Sequence, residues 1–234
     1  MSERFFVNHP ISGHRAELTG DEARHLTSVM RAKIGDEVVV FDGSGAEFSA
    51  SVTAIRKHAV ELTIAERREI SRELPFSLTL AVALPKGDRQ KWLVEKATEL
   101  GVTSIVPLAT ERGVAQPIDS ALDRLRRSVI EASKQCGRNH LLEIAPPAAA
   151  IPYFASAPPS AIRLLADPTG QPLTAAPLSA TQEIIAAIGP EGGFSPTELT
   201  AAHSANWRPI SLGPRILRIE TAALAACATI AQLR

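Results

Sequence analysis

Three short stretches of this chain gather residue types that could hold a ligand or move a proton. The first is Ile188-Gly189-Pro190-Glu191-Gly192-Gly193-Phe194-Ser195-Pro196-Thr197-Glu198. An apolar run passes into three glycines and then into a helix start on which several signals agree. Ser195 suits the cap, Pro196 suits the first helical position, and Glu198 would close a capping box. Glycine lets backbone approach a ligand closely, and α/β sheets bind ligands at the carboxyl ends of their parallel strands. The same glycines would also serve a turn that binds nothing. The stretch lacks the Gly-Lys-Ser/Thr of a phosphate-binding loop, and its glycines are not spaced as in a dinucleotide fold. Glu191 in mid-loop would repel a phosphate, so a neutral or cationic ligand suits it better.

The second stretch is Leu212-Gly213-Pro214-Arg215-Ile216-Leu217-Arg218-Ile219-Glu220-Thr221-Ala222, which follows a short strand and enters the last helix. Arg218 and Glu220 read either as an ion pair that staples the loop or as ligand holders. Two Gly-Pro loops after successive strands favour a shared cleft. The third stretch is Lys134-Gln135-Cys136-Gly137-Arg138-Asn139-His140, downstream of Arg124, Arg126 and Arg127. It reads as a solvated helix end whose cations suit the dipole, or as a basic edge that contacts phosphate. Lys86-Gly87-Asp88-Arg89 has the same two readings. Cys136 and Cys227 have no partner histidine in a recognisable motif and read as packing residues. No serine sits in a nucleophile elbow, which disfavours hydrolase chemistry.

The elements that position these stretches fall into two groups. Residues 1–72 read as strands and turns: Val38-Val39-Val40-Phe41 ended by Asp42-Gly43-Ser44-Gly45, then alternation over 48–55 and 60–64, with a short helix over 21–30. Four histidines (His9, His14, His25, His58) lie here without metal-ligand spacing, so no metal is expected. The character changes in the charged stretch 67–75, which sets a domain boundary. Beyond it strands alternate with helices. Strands are expected at 76–84, 102–106, 162–166, 184–188 and 210–212. Helices are expected from Asp88 through Leu100, over 120–135, and over 220–233, with a Pro/Ala-rich loop over 146–159. Short apolar strands alternating with helices indicate a buried, largely parallel α/β sheet.

Composition narrows the classes further. Of 234 residues, 45% are hydrophobic and 21% charged, which excludes disordered and low-complexity chains. Lysine plus arginine and aspartate plus glutamate number 25 each, so no global field draws the chain to polyanions. Through Arg72 there are 10 basic and 11 acidic residues. Two cysteines make no disulfide framework, no charged-then-apolar leader opens the sequence, and no run approaches the ~18 apolar residues of a membrane span. A soluble, cytoplasmic protein without a membrane partner is expected.

Further matching blocks are Leu84-Pro85-Lys86-Gly87-Asp88, Glu95-Lys96-Ala97-Thr98-Glu99-Leu100-Gly101-Val102 and Gln135-Cys136-Gly137-Arg138. With the two Gly-Pro loops, in this order, they resemble the SPOUT methyltransferases, and within them the RsmE family of 16S rRNA (uracil(1498)-N3)-methyltransferases. His25-Leu26, Val29-Met30-Arg31, Gly35-Asp36 and Phe41-Asp42-Gly43 resemble the family's PUA-like RNA-binding module. Met30, Lys134 and Cys136 depart from the pattern, standing where leucine, glutamate and serine are usual.

The resemblance implies a small, mostly β PUA-like domain over residues 1–72 and a SPOUT-type α/β trefoil-knot methyltransferase domain over 73–234. It implies S-adenosyl-L-methionine as cofactor, 16S rRNA of the small ribosomal subunit as partner, and a homodimer with active sites at the subunit interface. Cofactor binding falls to Leu165, Gly189, Pro190, Glu191, Gly192, Gly193, Leu212, Gly213, Arg215, Ile216, Leu217, Thr221 and Ala222, mainly through backbone groups. Arg218, Glu220 and Glu191 are the expected catalytic residues. Arg218 would hold the uracil carbonyls or a phosphate, Glu220 would orient Arg218, and Glu191 would stand near the reacting centre. RNA contacts are expected at Arg24, His25, Arg31, Lys86, Arg89, Gln135 and Arg138, the last reaching from the partner subunit. Two other readings stay open: a SPOUT enzyme acting on tRNA or a ribose hydroxyl, and a non-enzymatic RNA-binding or ribosome-assembly protein.

Overall fold

The computed structural model describes residues 3–114, 119–173 and 183–232. Two compact units emerge: residues up to Glu73 together with Ser133–Leu141, and Leu74–Ala132 together with the chain from Leu142 onward.

The first unit contains β1 (Arg4–Phe6), β2 (Arg15–Thr19), a one-turn helix α1 (Gly20–Arg24), β3 (Glu37–Phe41), β4 (Ala46–Ile55) and β5 (Ala59–Glu69). They form a five-stranded sheet in the order β1-β3-β4-β5-β2, antiparallel except for the β1–β3 pair. Period-two alternation fixes which face is buried. Val38 and Val40, Ala50 and Val52, and Val60, Leu62 and Ile64 turn inward to meet Phe5, Leu18 and Phe48. The helix expected over 21–30 is α-helical only through Arg24. His25–Val29 then widens into a π-turn, in which the Met30 N–H reaches the His25 carbonyl. Residues 133–141 are stitched to this unit by side chains. Arg4 donates to the Asn139 Oδ1 at 2.7 Å, the Asn139 amide donates to the Ile70 carbonyl at 3.0 Å, and Lys134 donates to Glu22 at 2.8 Å.

The second unit opens with β6 (Leu78–Val82), α2 (Arg89–Glu99), β7 (Ser104–Ala109) and α3 (Asp119–Cys136), whose last turn groups with the first unit. It continues with β8 (Glu143–Ile144), β9 (Ala148–Ala149), α4 (Ala150–Ser156), β10 (Ile162–Pro172) and β11 (Ile184–Ile188). It closes with α5 (Pro196–Ser204), β12 (Arg208–Ser211) and α6 (Ile219–Gln232). The sheet is wholly parallel in the order β12-β10-β11-β6-β7-β8, with β9 pairing β7. Every residue of β6 and β11 is buried, as expected for central strands covered on both faces.

Local chemistry explains most boundaries. Gly101, at φ +83°, ends α2 in a conformation that costs glycine nothing. Asp88 occupies the cap position of α2, but its backbone is already helical and its side chain caps nothing. The 146–159 stretch, expected to be loop, contains β9 and α4. Pro152 lies in the first turn of α4, where a helix has no use for an N–H, so the proline does not break it. Ala150 and Phe154 of α4 pack with Phe194 and Trp207, and the Trp207 indole donates to the Phe154 carbonyl at 3.1 Å.

Candidate active site

Two loops that leave the carboxyl ends of the parallel strands β11 and β12, and an irregular segment within β10 between them, enclose a cavity of about 360 Å³. From β11 comes the glycine-rich stretch. The Gly193 N–H bonds the Pro190 carbonyl at 2.8 Å and Gly193 adopts φ +67°, closing a tight turn. The expected capping box at the head of α5 is present. Ser195 Oγ accepts from the Glu198 N–H at 3.2 Å, and a Glu198 oxygen accepts from the Ser195 N–H at 2.8 Å. Two further contacts, not visible in the local sequence, hold the turn. The other Glu198 oxygen accepts from the Glu111 N–H at 2.8 Å, and Arg112 donates to the Gly192 carbonyl at 2.7 Å.

Loop 212–218 follows β12, with Gly213 at φ +107° and its N–H on Ser211 Oγ at 3.3 Å. The third wall, Ala166–Thr169 of β10, carries no motif and was not expected. There Asp167 Oδ1 accepts from both the backbone N–H and the hydroxyl of Thr169. Ile188, Phe194, Ile210 and Ile219 supply apolar surface.

Of the residues expected to hold a cofactor, Gly189, Pro190, Glu191, Gly192, Gly193, Leu212, Gly213, Arg215, Ile216, Leu217 and Ala222 line this cavity. Leu165 does not: it is fully buried in the core beneath the sheet, packed among the side chains around Phe154 and Trp207. Thr221 lines a second hollow, with Arg89, Trp92, Arg218 and Glu220. The two hollows share Ile216 and Leu217 as a common wall.

The expected Arg218–Glu220 pair is not formed. Residues two apart at a helix start point in different directions, and Arg218 is exposed without an ion-pair partner among the described residues. Glu220 instead meets Arg89, from the head of α2, with Oε1 3.5 Å from Nη1. The same Nη1 lies 3.8 Å from Glu191 Oε1. Arg89, expected on RNA, therefore stands between the two carboxylates. Glu220 is 6% exposed, and its Oε2 has no hydrogen-bond donor among the described residues.

The remaining RNA candidates differ in availability. Arg24 and Arg31 are exposed, Arg24 in an exposed pair with Asp21 and Arg31 at φ +56°. His25 packs edge-on to Phe5, and Lys86 and Gln135 face solvent. Arg138 is 3% exposed, and its guanidinium binds Glu73 at 2.5 Å within the first unit. Its guanidinium is turned to Glu73 rather than to solvent.

Comparison with known proteins places this site in a lineage. A family profile described as RNA methyltransferase domain matches residues 72–231, and one described as RNA methyltransferase PUA domain matches residues 18–65. Ribosomal RNA small subunit methyltransferase E of Synechocystis sp. is 34% identical over 91% of this chain and 71% of its own length. The Bacillus subtilis protein of that name is 27% identical over 91% and 88%. The crystal structure of the Neisseria gonorrhoeae protein of that name, bound to S-adenosyl methionine, superposes with a TM-score of 0.92. It is 31% identical and covers 100% of this chain and 98% of that one. With glycine loops, strand order and both profiles in agreement along nearly the whole sequence, the chain belongs to the ribosomal RNA small subunit methyltransferase E family.

Proposed function

We propose that this chain transfers a methyl group from S-adenosylmethionine to N3 of one uridine in 16S rRNA of the small ribosomal subunit, as a cytoplasmic homodimer. The observation that carries this reading is the cavity itself, whose walls are glycine-rich backbone and apolar side chains with two carboxylates, Asp167 and Glu191, and one guanidinium, Arg215. That surface suits a flat heterocycle, ribose hydroxyls and a sulfonium cation. Ile188, Phe194, Ile210 and Ile219 would take the heterocycle, and the backbone of residues 189–193 and 212–217 would meet its polar edges. Asp167 and Glu191 would oppose the positive charge. When bound, S-adenosylmethionine supplies an electrophilic methyl group whose departure leaves a neutral thioether.

The chain must position the uridine and deal with its imide proton. The N3 lone pair is delocalised into two carbonyls, so catalysis calls for a base, or for donors that stabilise the uracil anion, as well as alignment. Glu191 and Glu220 are the carboxylates able to take the proton. Arg89 lies 3.8 Å from Glu191 and 3.5 Å from Glu220. Arg218, which lines the same hollow as Glu220 and has no ion-pair partner among the described residues, would steady charge on a carbonyl oxygen. A stacked uridine would have to be extruded to reach this point. The exposed Arg24, Arg31, Lys86 and Gln135, with His25, would contact the surrounding RNA. With zero net charge, shape and a few local phosphate contacts must carry that recognition. The alanine-rich α6, with Leu224, Ala225 and Ala228 only half-buried, offers a close-packing face to a second copy.

Calorimetric titration of S-adenosylmethionine tests the site. One molecule per chain is expected, weakened about tenfold by Asp167→Asn, which removes one opposing charge. An absence of binding heat at several temperatures would overturn the reading.

A further inference from the structure

We infer that the second hollow, the one lined by Trp92, Arg89, Glu220 and Arg218, is the seat of the target base: a uracil stacked on Trp92 with its imide edge against the three charged groups. This deepens the function proposed above and rests on it. The hollow measures about 590 Å³ and shares a wall, Ile216 and Leu217, with the cofactor cavity.

Three observations converge. The first is the hydrogen-bonding pattern. The N3 edge of uracil reads acceptor, donor, acceptor: O2, N3–H, O4. Arginine can only donate and an ionised glutamate can only accept, so the hollow that Arg89, Glu220 and Arg218 line supplies two donors and one acceptor, the complement of that edge. Cytosine presents a lone pair at N3 and an amino group at C4, and would set like against like at two of the three positions. The second is the unmet need of Glu220. Its carboxylate is almost wholly buried, Oε1 has one long contact to Arg89, and Oε2 has no donor among the described residues. A desolvated acceptor left unpaired is costly, and the N3–H of a bound uracil would supply a partner. The third is Trp92, 45% exposed on α2 beside these charges, whereas Trp207 is 2% exposed in the core. An exposed aromatic beside arginines is the composition of a base-stacking platform.

The same arrangement accounts for the proton. The N3–H bond breaks as the N3–methyl bond forms, and the proton passes to the Glu220 carboxylate and then to water. The electron pair of the broken methyl–sulfur bond stays on the departing thioether. Arg89 is thus a positioning residue, keeping Glu220 aimed before the base arrives.

The full-length protein, labelled with 15N at tryptophan, allows a direct test with uridine and cytidine as probes. Two indole N–H signals are expected, and a Trp92→Phe spectrum assigns them. Uridine should shift the Trp92 signal and leave that of Trp207 in place, and cytidine should bind about tenfold more weakly. Trp92→Ala should weaken uridine about 5- to 150-fold, with Trp92→Phe recovering most of the loss. Glu220→Gln, whose amide both donates and accepts, should bring the two nucleosides to comparable affinity. An unmoved Trp92 signal, or equal affinities in the wild type, would overturn the proposal. So would a Trp92→Ala protein that becomes monomeric yet binds uridine normally, which would assign this face to contact between copies. If Trp92→Ala still methylated rRNA at the wild-type rate, the base-seat proposal would fall while the methyltransferase reading stood.

Discussion

Replacing Glu198 by alanine should damage both stability and cofactor binding, because one buried carboxylate holds two loops. Glu198 is 3% exposed, and its oxygens accept the Ser195 and Glu111 N–H groups at 2.8 Å each. Ser195 is itself 2% exposed, so its N–H, once orphaned, cannot turn to water. That loss costs about 1–3 kcal/mol. Glu111 lies at the surface and its N–H can be rehydrated, so the second bond is worth only about 1 kcal/mol. Removing a negative charge from the first turn of α5 adds about 0.5 kcal/mol. The expected destabilisation is therefore about 2.5–4.5 kcal/mol, with Glu198→Gln costing about half as much because it keeps one acceptor. Urea unfolding measures the stability. Calorimetry measures the second consequence, weaker S-adenosylmethionine binding by the loop that ends at Ser195. A Glu198→Ala protein within about 0.5 kcal/mol of wild type, with unchanged affinity, would refute the reasoning.

Three more outcomes follow from the same structure. Arg138→Ala should cost about 3 kcal/mol of stability, since it leaves Glu73 with a partner missing in a mostly buried pair; a change confined to RNA affinity, with unfolding unaltered, would contradict this. Glu47 is buried, which alone would raise its pKa, but Arg4 at 2.6 Å and Arg72 at 3.4 Å hold it below the ordinary carboxylate range. The unfolded state therefore binds this proton first, so the stabilisation is complete above the ordinary range and is lost as pH falls through the lowered value. Urea midpoints from pH 7 to 3 should fall more steeply for wild type than for Glu47→Gln, and parallel curves would dismiss the pair. Burial pushes the Cys227 thiol up to about 12, while Cys136 is half-exposed. A disulfide reagent should accordingly titrate one thiol in the native protein and two in denaturant, and rapid native labelling of both would contradict the packing of α6.

Features set by neighbours in sequence were the legible ones. The capping box spans three residues, and the glycines at 193 and 213 take the positive φ their turns require. The apolar runs of β6 and β11 are buried along their whole length. What escaped the sequence depends on distance along the chain. Arg89 and Glu220 are 131 positions apart, and Arg112 reaches Gly192 across 80. Ala166–Thr169 joins the cavity only because β10 lies between β11 and β12. Arg138 looked available because a basic helix end usually is, and only the partner Glu73, 65 residues away, removes it from solvent. Pro152 hid a helix because prolines signal loops unless they fall in a first turn. Local patterns fixed the glycine loops that would hold a cofactor, whereas the charge network that would act on the substrate is a product of the fold.

The most direct test of the account is to incubate the purified protein with labelled S-adenosylmethionine and small ribosomal subunits that lack the modification, then map the methyl group by nuclease digestion and mass spectrometry. The account predicts one methyl per subunit, at N3 of a single 16S rRNA uridine. A methyl on a ribose hydroxyl, on tRNA alone, or on no RNA while the cofactor binds normally would contradict it.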